Sequence, residues 1–456
     1  VNVDIPLLVE NQDWKSWKSL IGTTGIELAT AKRSLESLGT RLRKQLGLRG
    51  DPFVFRIQEN GDVAVRTSGI AGTVSLGGFA LDIAPKFALR PDGVLQWNVS
   101  MLLLMQYARK TDLSLVRSEH LAAGRHSFLD LLGMAFADAA EAGLADQLIQ
   151  TYKISAESLP VLRGRLALSR QMRRAFTSPQ LIECDVDQLD VNNAFNALLK
   201  WAAEALVRSV RSSTLKRRLH AIAHKLPGRP DRGAPNRGRE FAPPPQFRVW
   251  NEALQIASLL ASGLAHTTGR GIQHGYSFVF NMERLFEHFV EISLVRALST
   301  LGDSEVTSCR QASTQYATPH WQTKVPFFSR PDNLVVRNGK PLIVVDAKYK
   351  RLSDSEGIRN RKPINADVYE LVAAMTAHRC PLGLLVYPRV AGDAVLTDSE
   401  LRMWTVQAFG KCLFVGALAL DLTGLRTHAD LHAVDQKLGA ALSSLITEWT
   451  NSNDWL

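Results

Sequence analysis

Apolar residues recur along this chain with two different periods. In VFRIQENGDVAVR (54–66), apolar and polar positions alternate on both sides of Asn60-Gly61, which predicts a β-hairpin. GTVSLGGFALDIAPKF (72–87) adds two more strand-like runs around Gly77-Gly78. Between the N-terminus and these strands, IELATAKRSLESLGTRLRKQL sets Ile26, Leu28, Leu35, Leu38 and Leu42 at roughly helical spacing. Residues 1–110 are therefore predicted to form a β-leaning mixed α/β module.

From about residue 98 the pattern shifts to long amphipathic segments. VSMLLLMQYAR, FLDLLGMAFADAAEAGLADQLI and NNAFNALLKWAAEALVRSV predict a mainly helical middle region over 111–270. Inside it, LPGRPDRGAPNRGREFAPPPQF is too rich in Pro, Gly and Arg to hold regular structure, so about 226–248 is predicted to be an exposed connection. One more helix, roughly 249–265, leads to the joint GRGIQHG, after which 271–456 forms a third region. There is no internal repeat and no heptad array.

The length of 456 residues exceeds what one hydrophobic core serves, and 45% apolar residues supply ample core material. No run of about 18 apolar residues occurs, and VNVDIPLLVENQDWKSW does not read as a signal sequence, so a cytoplasmic protein with no membrane partner is expected. Cys184, Cys309, Cys380 and Cys412 are scattered and form no CxxC pair; they are expected to be buried thiols. Lys plus Arg exceed Asp plus Glu by 54 − 44 = 10, which favours a polyanionic partner and makes nucleic acid the first suspect. Much of the excess is local. Arg208, Arg211, Lys216, Arg217, Arg218, Lys225, Arg229, Arg232, Arg237 and Arg239 face only Asp231 and Glu240. Such a cluster can track phosphates, and it equally fits a solvated helix face running into a linker.

The segment that carries chemistry is FFSRPDNLVVRNGKPLIVVDAKYKRL. Two β-rich runs flank RNGK, so Asp332 and Asp346 stand at the open end of a predicted hairpin, with Lys348 two residues beyond Asp346 on the same face. A two-residue Asn338-Gly339 loop pairs Asp332 with Val345 and puts the two acids on opposite faces. An odd loop or a β-bulge pairs Asp332 with Asp346, and that is the expectation. Two carboxylates and an ammonium then converge. Hard divalent ions such as Mg²⁺ take oxygen ligands and keep waters, which suits phosphodiester hydrolysis. The same spacing also fits a turn-capping Asp332 with ordinary polar residues at a strand end.

RPD, about a dozen residues, then an apolar strand ending in DAK resembles the PD-(D/E)XK nuclease superfamily. The ordered set of motifs is similar to the McrC family, the nuclease subunit of McrBC-type modification-dependent restriction systems. The set comprises LDIAPKF, VLRGRL, CDVDQLDVNNAFNALLK, FVFNMERLFEHFVEISL, VYELVAAM and LGLLVYP. The resemblance implies a restriction-endonuclease-like C-terminal core, a central mixed sheet flanked by helices. It also implies a Mg²⁺-dependent DNA endonuclease (Mn²⁺ may substitute) with Asp332 and Asp346 as metal ligands and Lys348 as the catalytic lysine. Glu287 in LFE matches an acidic residue that such cores present to the metal, directly or through water. Its i, i+4 spacing with Glu283 and Glu291 also fits a solvent-exposed face. Where relatives usually carry Gln and then Tyr four residues on, this chain has Glu370 and Ala374, while Asp367 and Tyr369 follow the pattern.

No GxxxxGK[ST] loop is present, so GTP is expected to bind a partner and not this chain. The resemblance implies that the partner is a hexameric McrB-like AAA+ GTPase and that the N-terminal module docks on it. Candidate docking features are the turns at Glu59-Asn60-Gly61 and Gly77-Gly78, with Arg41, Arg43 and Lys44. The expected substrate is double-stranded DNA carrying modified cytosines. The alternatives are a non-catalytic activator or cap of the ring with a residual DNA-binding core, and a stand-alone repair nuclease.

Overall fold

The computed structural model describes residues 6–11, 14–21, 28–59, 61–76, 79–90, 93–94, 97–108, 127–174, 176–228, 243–267, 275–300, 306–318, 326–352, 363–390, 401–408, 410–423 and 425–453. The chain divides into two compact units, one made of Val1–Ala122 with Ala265–Leu456 and the other of Ala123–Leu264. Segments 1–110 and 271–456 thus lie within one unit.

That unit begins with β1 (Leu7–Val9), β2 (Lys15–Ser16), β3 (Phe53–Ile57), β4 (Val63–Thr67), β5 (Ile70–Leu76), β6 (Phe79–Ala84), β7 (Leu89–Arg90) and β8 (Gly93–Val94). The alternation at 54–66 gives the antiparallel pair β3/β4, and the run at 72–87 gives β5/β6. Helix Leu28–Leu46 packs on them through Leu35, Leu38 and Leu42, all 0% exposed, as its spacing predicts. Asn60 and Gly77-Gly78 lie outside the described residues.

The second unit carries the predicted helices Phe128–Asp146, Ala194–Ser209 and Asn251–Gly263, with Ser213–Lys225 between the last two. Ser127 and Asn193 cap the first two by accepting hydrogen bonds from the backbone N–H groups of Asp130 and Asn196. It also holds an antiparallel sheet that the helical pattern conceals, β9 (Thr151–Leu159), β10 (Arg165–Leu166) and β11 (Ile182–Asp190), in the order β10-β11-β9. Tyr152 and Ile154 on β9 are 77% and 68% exposed, so this sheet lacks the alternating burial that marks a half-buried strand.

The chain returns through β12 (Leu264–Thr267) and β13 (Gly275–Asn281), which complete a sheet of order β1-β6-β5-β13-β12. Helix Met282–Thr300 follows, burying Met282, Phe286 and Phe289. Then come β14 (Val306–Arg310), β15 (Thr314–Ala317), β16 (Phe327–Ser329), β17 (Asn333–Arg337), β18 (Lys340–Ala347), β19 (Leu382–Pro388), β20 (Arg402–Ala408) and β21 (Lys411–Leu420). Six of these form a mixed sheet of order β14-β17-β18-β19-β21-β20. Every residue of β19 is buried, the continuous apolar run expected of a parallel strand covered on both faces. The parallel step from β18 to β19 is made through helix Asn365–Ala377. That helix presses on the sheet at Gly383, where an added Cβ would meet Met375 Sδ at 2.5 Å.

The cysteines are only partly as expected. Cys184 and Cys380 are buried, but Cys309 is exposed because β14 is an edge strand, and Cys412 is half-buried. Among the described residues, no helix is long and apolar enough to cross a membrane.

Candidate active site

The hairpin β17/β18 turns through Asn338 and Gly339, both with positive φ (51° and 73°), the conformation a two-residue hairpin turn demands. Left alone, this loop would put Asp332 and Asp346 on opposite faces. The pairing instead slips: Arg337 pairs with Lys340 and Val336 with Pro341, but Val335 pairs with Ile343, leaving Leu342 as the extra residue of a bulge. Beyond the slip, Asn333 pairs with Val345, so the next position sets Asp332 opposite Asp346.

The two acids meet at the strand ends. Asp332 Oδ2 accepts a hydrogen bond from the backbone N–H of Ala347 at 2.9 Å. Its carboxyl is pushed up to about 8, first by burial and then by the charge and hydrogen bond of Asp346. Lys348 lies on the same side as Asp346, as strand alternation requires, with Nζ 2.8 Å from Asp346 Oδ2 and 2.7 Å from Glu370 Oε2. Burial alone would lower the ammonium pKa, but Asp346 and then Glu370 outweigh it, and the net shift is upward.

Glu287 faces this group from helix Met282–Thr300 and is half-buried. Its carboxyl is raised by burial first, then by Glu283, with Asp346 also contributing. Its helical neighbours are engaged elsewhere: Glu283 with Arg49 at 3.3 Å and Glu291 with Arg310 at 3.2 Å. Glu287, Asp332 and Asn333 line a shallow surface cleft together with His288, Glu291, Arg310 and Gln311. Among the described residues, no three His, Cys, Asp or Glu side chains converge closely enough to hold a metal ion. The donor set that converges is the Asp332–Asp346 pair. Two carboxylates close enough to hydrogen-bond fit a small divalent cation that keeps several of its own waters.

The structure gives partners to residues that the sequence assigned no role in the site. Asp367, 2% exposed, accepts from Tyr387 Oη at 2.9 Å and Lys350 Nζ at 2.5 Å. Glu10 and Lys86 close on Tyr349, the residue after Lys348. Lys86 lies in the LDIAPKF motif, but no local pattern links it to Glu10 or to Tyr349, which are far away in sequence.

Other nominated residues are placed differently. Arg218 is engaged by Asp138 at 2.6 Å and Glu141 at 2.7 Å, so it is not a free phosphate contact. Arg229, Arg232, Arg237 and Arg239 lie outside the described residues. Arg43 pairs with Asp51 at 3.3 Å.

Residues 65–388 match the family model described as "McrBC 5-methylcytosine restriction system component". The chain belongs to this family. The McrBC match contains the hairpin, the bulge and Glu370. Among solved structures, the chain is similar to one in a half-complex from a tetradecameric assembly of Thermococcus gammatolerans McrB AAA+ hexamers with bound McrC. The TM-score is 0.65 at 16% identity, covering 97% of this chain and 100% of that one, so the McrBC fold extends over nearly the whole length. A chain in a cryo-EM structure of the Thermococcus gammatolerans McrBC complex matches with TM-score 0.47 at 17% identity, covering 65% of this chain and 88% of that one. No curated protein matches the chain.

Proposed function

We propose that this chain is the Mg²⁺-dependent endonuclease subunit of a GTP-dependent, modification-dependent restriction complex, with a PD-(D/E)XK core built on β17 to β19. The observation that carries the reading is the bulge at Leu342, which brings Asp332 opposite Asp346 beside Lys348. Asp332 and Asp346 would hold the cation, with Glu287 reaching it through water; bound there, it would polarise the phosphate and lower the pKa of a water. Lys348, kept cationic by its two carboxylate neighbours, offsets the charge that builds on the phosphoryl oxygens during attack. The net charge of +10 suits double-stranded DNA as the substrate.

GTP would be bound by a McrB-like AAA+ hexamer. An exposed surface suited to such a partner lies in the second unit, in addition to the N-terminal turns expected from the sequence. Tyr152, Ile154 and Leu189 are 77%, 68% and 57% exposed, and Met172 and Phe176 are 68% and 96% exposed beside Arg173. Apolar groups so exposed, with basic residues between them, mark an interaction surface.

Glu370 favours a second reading, a non-catalytic activator or cap of the ring. Where relatives usually have a neutral Gln, this chain holds its lysine with a further carboxylate at 2.7 Å. Glu370→Gln distinguishes the two. DNA cleavage by the wild type that quickens in the variant supports the nuclease, whereas no cleavage by the wild type, with full stimulation of the partner's GTPase, supports the cap.

A further inference from the structure

The backbone just after Lys348 is gripped by the beginning of the chain. Glu10, following β1, and Lys86, following β6, are 1% and 4% exposed. Tyr349 Oη donates to Glu10 Oε2 at 2.7 Å, and Lys86 Nζ donates to the main-chain carbonyl of Tyr349 at 2.7 Å. Glu10 accepts further hydrogen bonds from the backbone N–H groups of Gly69 at 2.8 Å and Lys86 at 3.4 Å. The Tyr349 ring lies 3.7 Å from Lys86 Nζ and 5.7 Å, centre to centre, from Phe286, the neighbour of Glu287. Burial raises the Glu10 carboxyl and lowers the Lys86 ammonium to about 8, and each charge opposes the other's shift.

A buried cluster of opposite charges is a poor way to stabilise a fold, since apolar residues of equal volume do as well or better. A fully hydrogen-bonded one does restrict geometry, because few arrangements satisfy every member. Here the satisfied arrangement fixes Tyr349 by both its hydroxyl and its carbonyl. Its neighbours are fixed too: Lys348 N–H donates to Val386 O at 2.8 Å, and Lys350 is tied to buried Asp367. The direction in which the Lys348 side chain leaves the sheet is thereby set by residues more than two hundred positions upstream.

We infer that Glu10, Lys86 and Tyr349 are positioning residues for Lys348, so that the N-terminal segment completes the catalytic centre in addition to any docking role. This rests on the nuclease reading above. Misplacing a catalytic group by about 1 Å can cost on the order of 10²-fold in rate.

The test uses the full chain with a McrB-type ring GTPase, GTP, Mg²⁺ and a methylated duplex, comparing wild type with Tyr349→Phe, Lys86→Met and Lys348→Ala. Tyr349→Phe removes a single oxygen and is the least disruptive of the three. The expected result is a fall in kcat of roughly 10- to 100-fold for Tyr349→Phe and Lys86→Met, at unchanged KM for DNA and, for Tyr349→Phe, at unchanged melting temperature. Wild-type kcat in these two, with Lys348→Ala inactive, would overturn the positioning role and leave the nuclease reading standing. Wild-type cleavage by Lys348→Ala would overturn both. A loss that only follows a lowered melting temperature and returns on cooling would mean a structural role, and also overturns the inference.

Discussion

Asp332 and Ala347 are tied across the hairpin: the carboxylate of one accepts the backbone N–H of the other at 2.9 Å. That bond spends one carboxylate oxygen on geometry and turns the other side of the group toward Asp346, so the hairpin positions its own acids.

Burial of Asp332, with the charge of Asp346 beside it, sets a pH dependence. Asp332 titrates at about 8 in the folded protein, against an ordinary value of 3.8. Between those values the folded protein binds the extra proton, so this group's contribution to stability falls as pH rises and its penalty is complete above about 8. In metal-free protein, Asp332→Asn should therefore gain stability relative to wild type as pH rises through that window. Thermal melts of both proteins with EDTA check this, and parallel pH curves would contradict it. Adding Mn²⁺ at alkaline pH should raise the melting temperature of wild type but not of the variant.

Gly339 stands at φ 73° in the hairpin turn, with nothing within 4 Å of where a Cβ would be. The cost of a side chain there is conformational only. Gly339→Val should destabilise by roughly 1–2 kcal/mol, read from urea unfolding, and no loss would mean that the turn does not hold the left-handed conformation.

The basic helix Ser213–Lys225 divides into two kinds of charge. Lys216→Glu with Arg217→Glu should lower affinity for duplex DNA and flatten its dependence on salt. Arg218→Glu should instead lower thermal stability, because it sets a third carboxylate against Asp138 and Glu141. Salt titrations of DNA binding beside melting curves separate the two; an unchanged salt slope in the first variant assigns that segment to structure alone.

How much of this was legible in the sequence depends on distance along the chain. The helix Leu28–Leu46, the hairpins β3/β4 and β17/β18, and the long helices of the second unit follow from local periodicity. The register at Asp332 and Asp346 was reachable too, because a two-residue turn leaves the acids on opposite faces unless a bulge intervenes. The sheet β9 to β11 was not, since its exposed apolar residues on both sides of the pattern obscure the period of two. Nor was the Glu10–Lys86–Tyr349 cluster, whose members are separated by up to 339 positions and joined only by tertiary packing. Arg218 looked like a free cation because its two acids lie on another helix.

Whether Asp332, Asp346 and Lys348 cut DNA is tested most directly by cleavage of methylated and unmodified duplexes. The assay contains the chain, a McrB-type ring GTPase, GTP and Mg²⁺. Wild type should cut the methylated duplex, while Asp346→Ala and Lys348→Ala should cut at least about 10²-fold more slowly and still stimulate the partner's GTPase. Cleavage at wild-type rates by both variants would contradict the account.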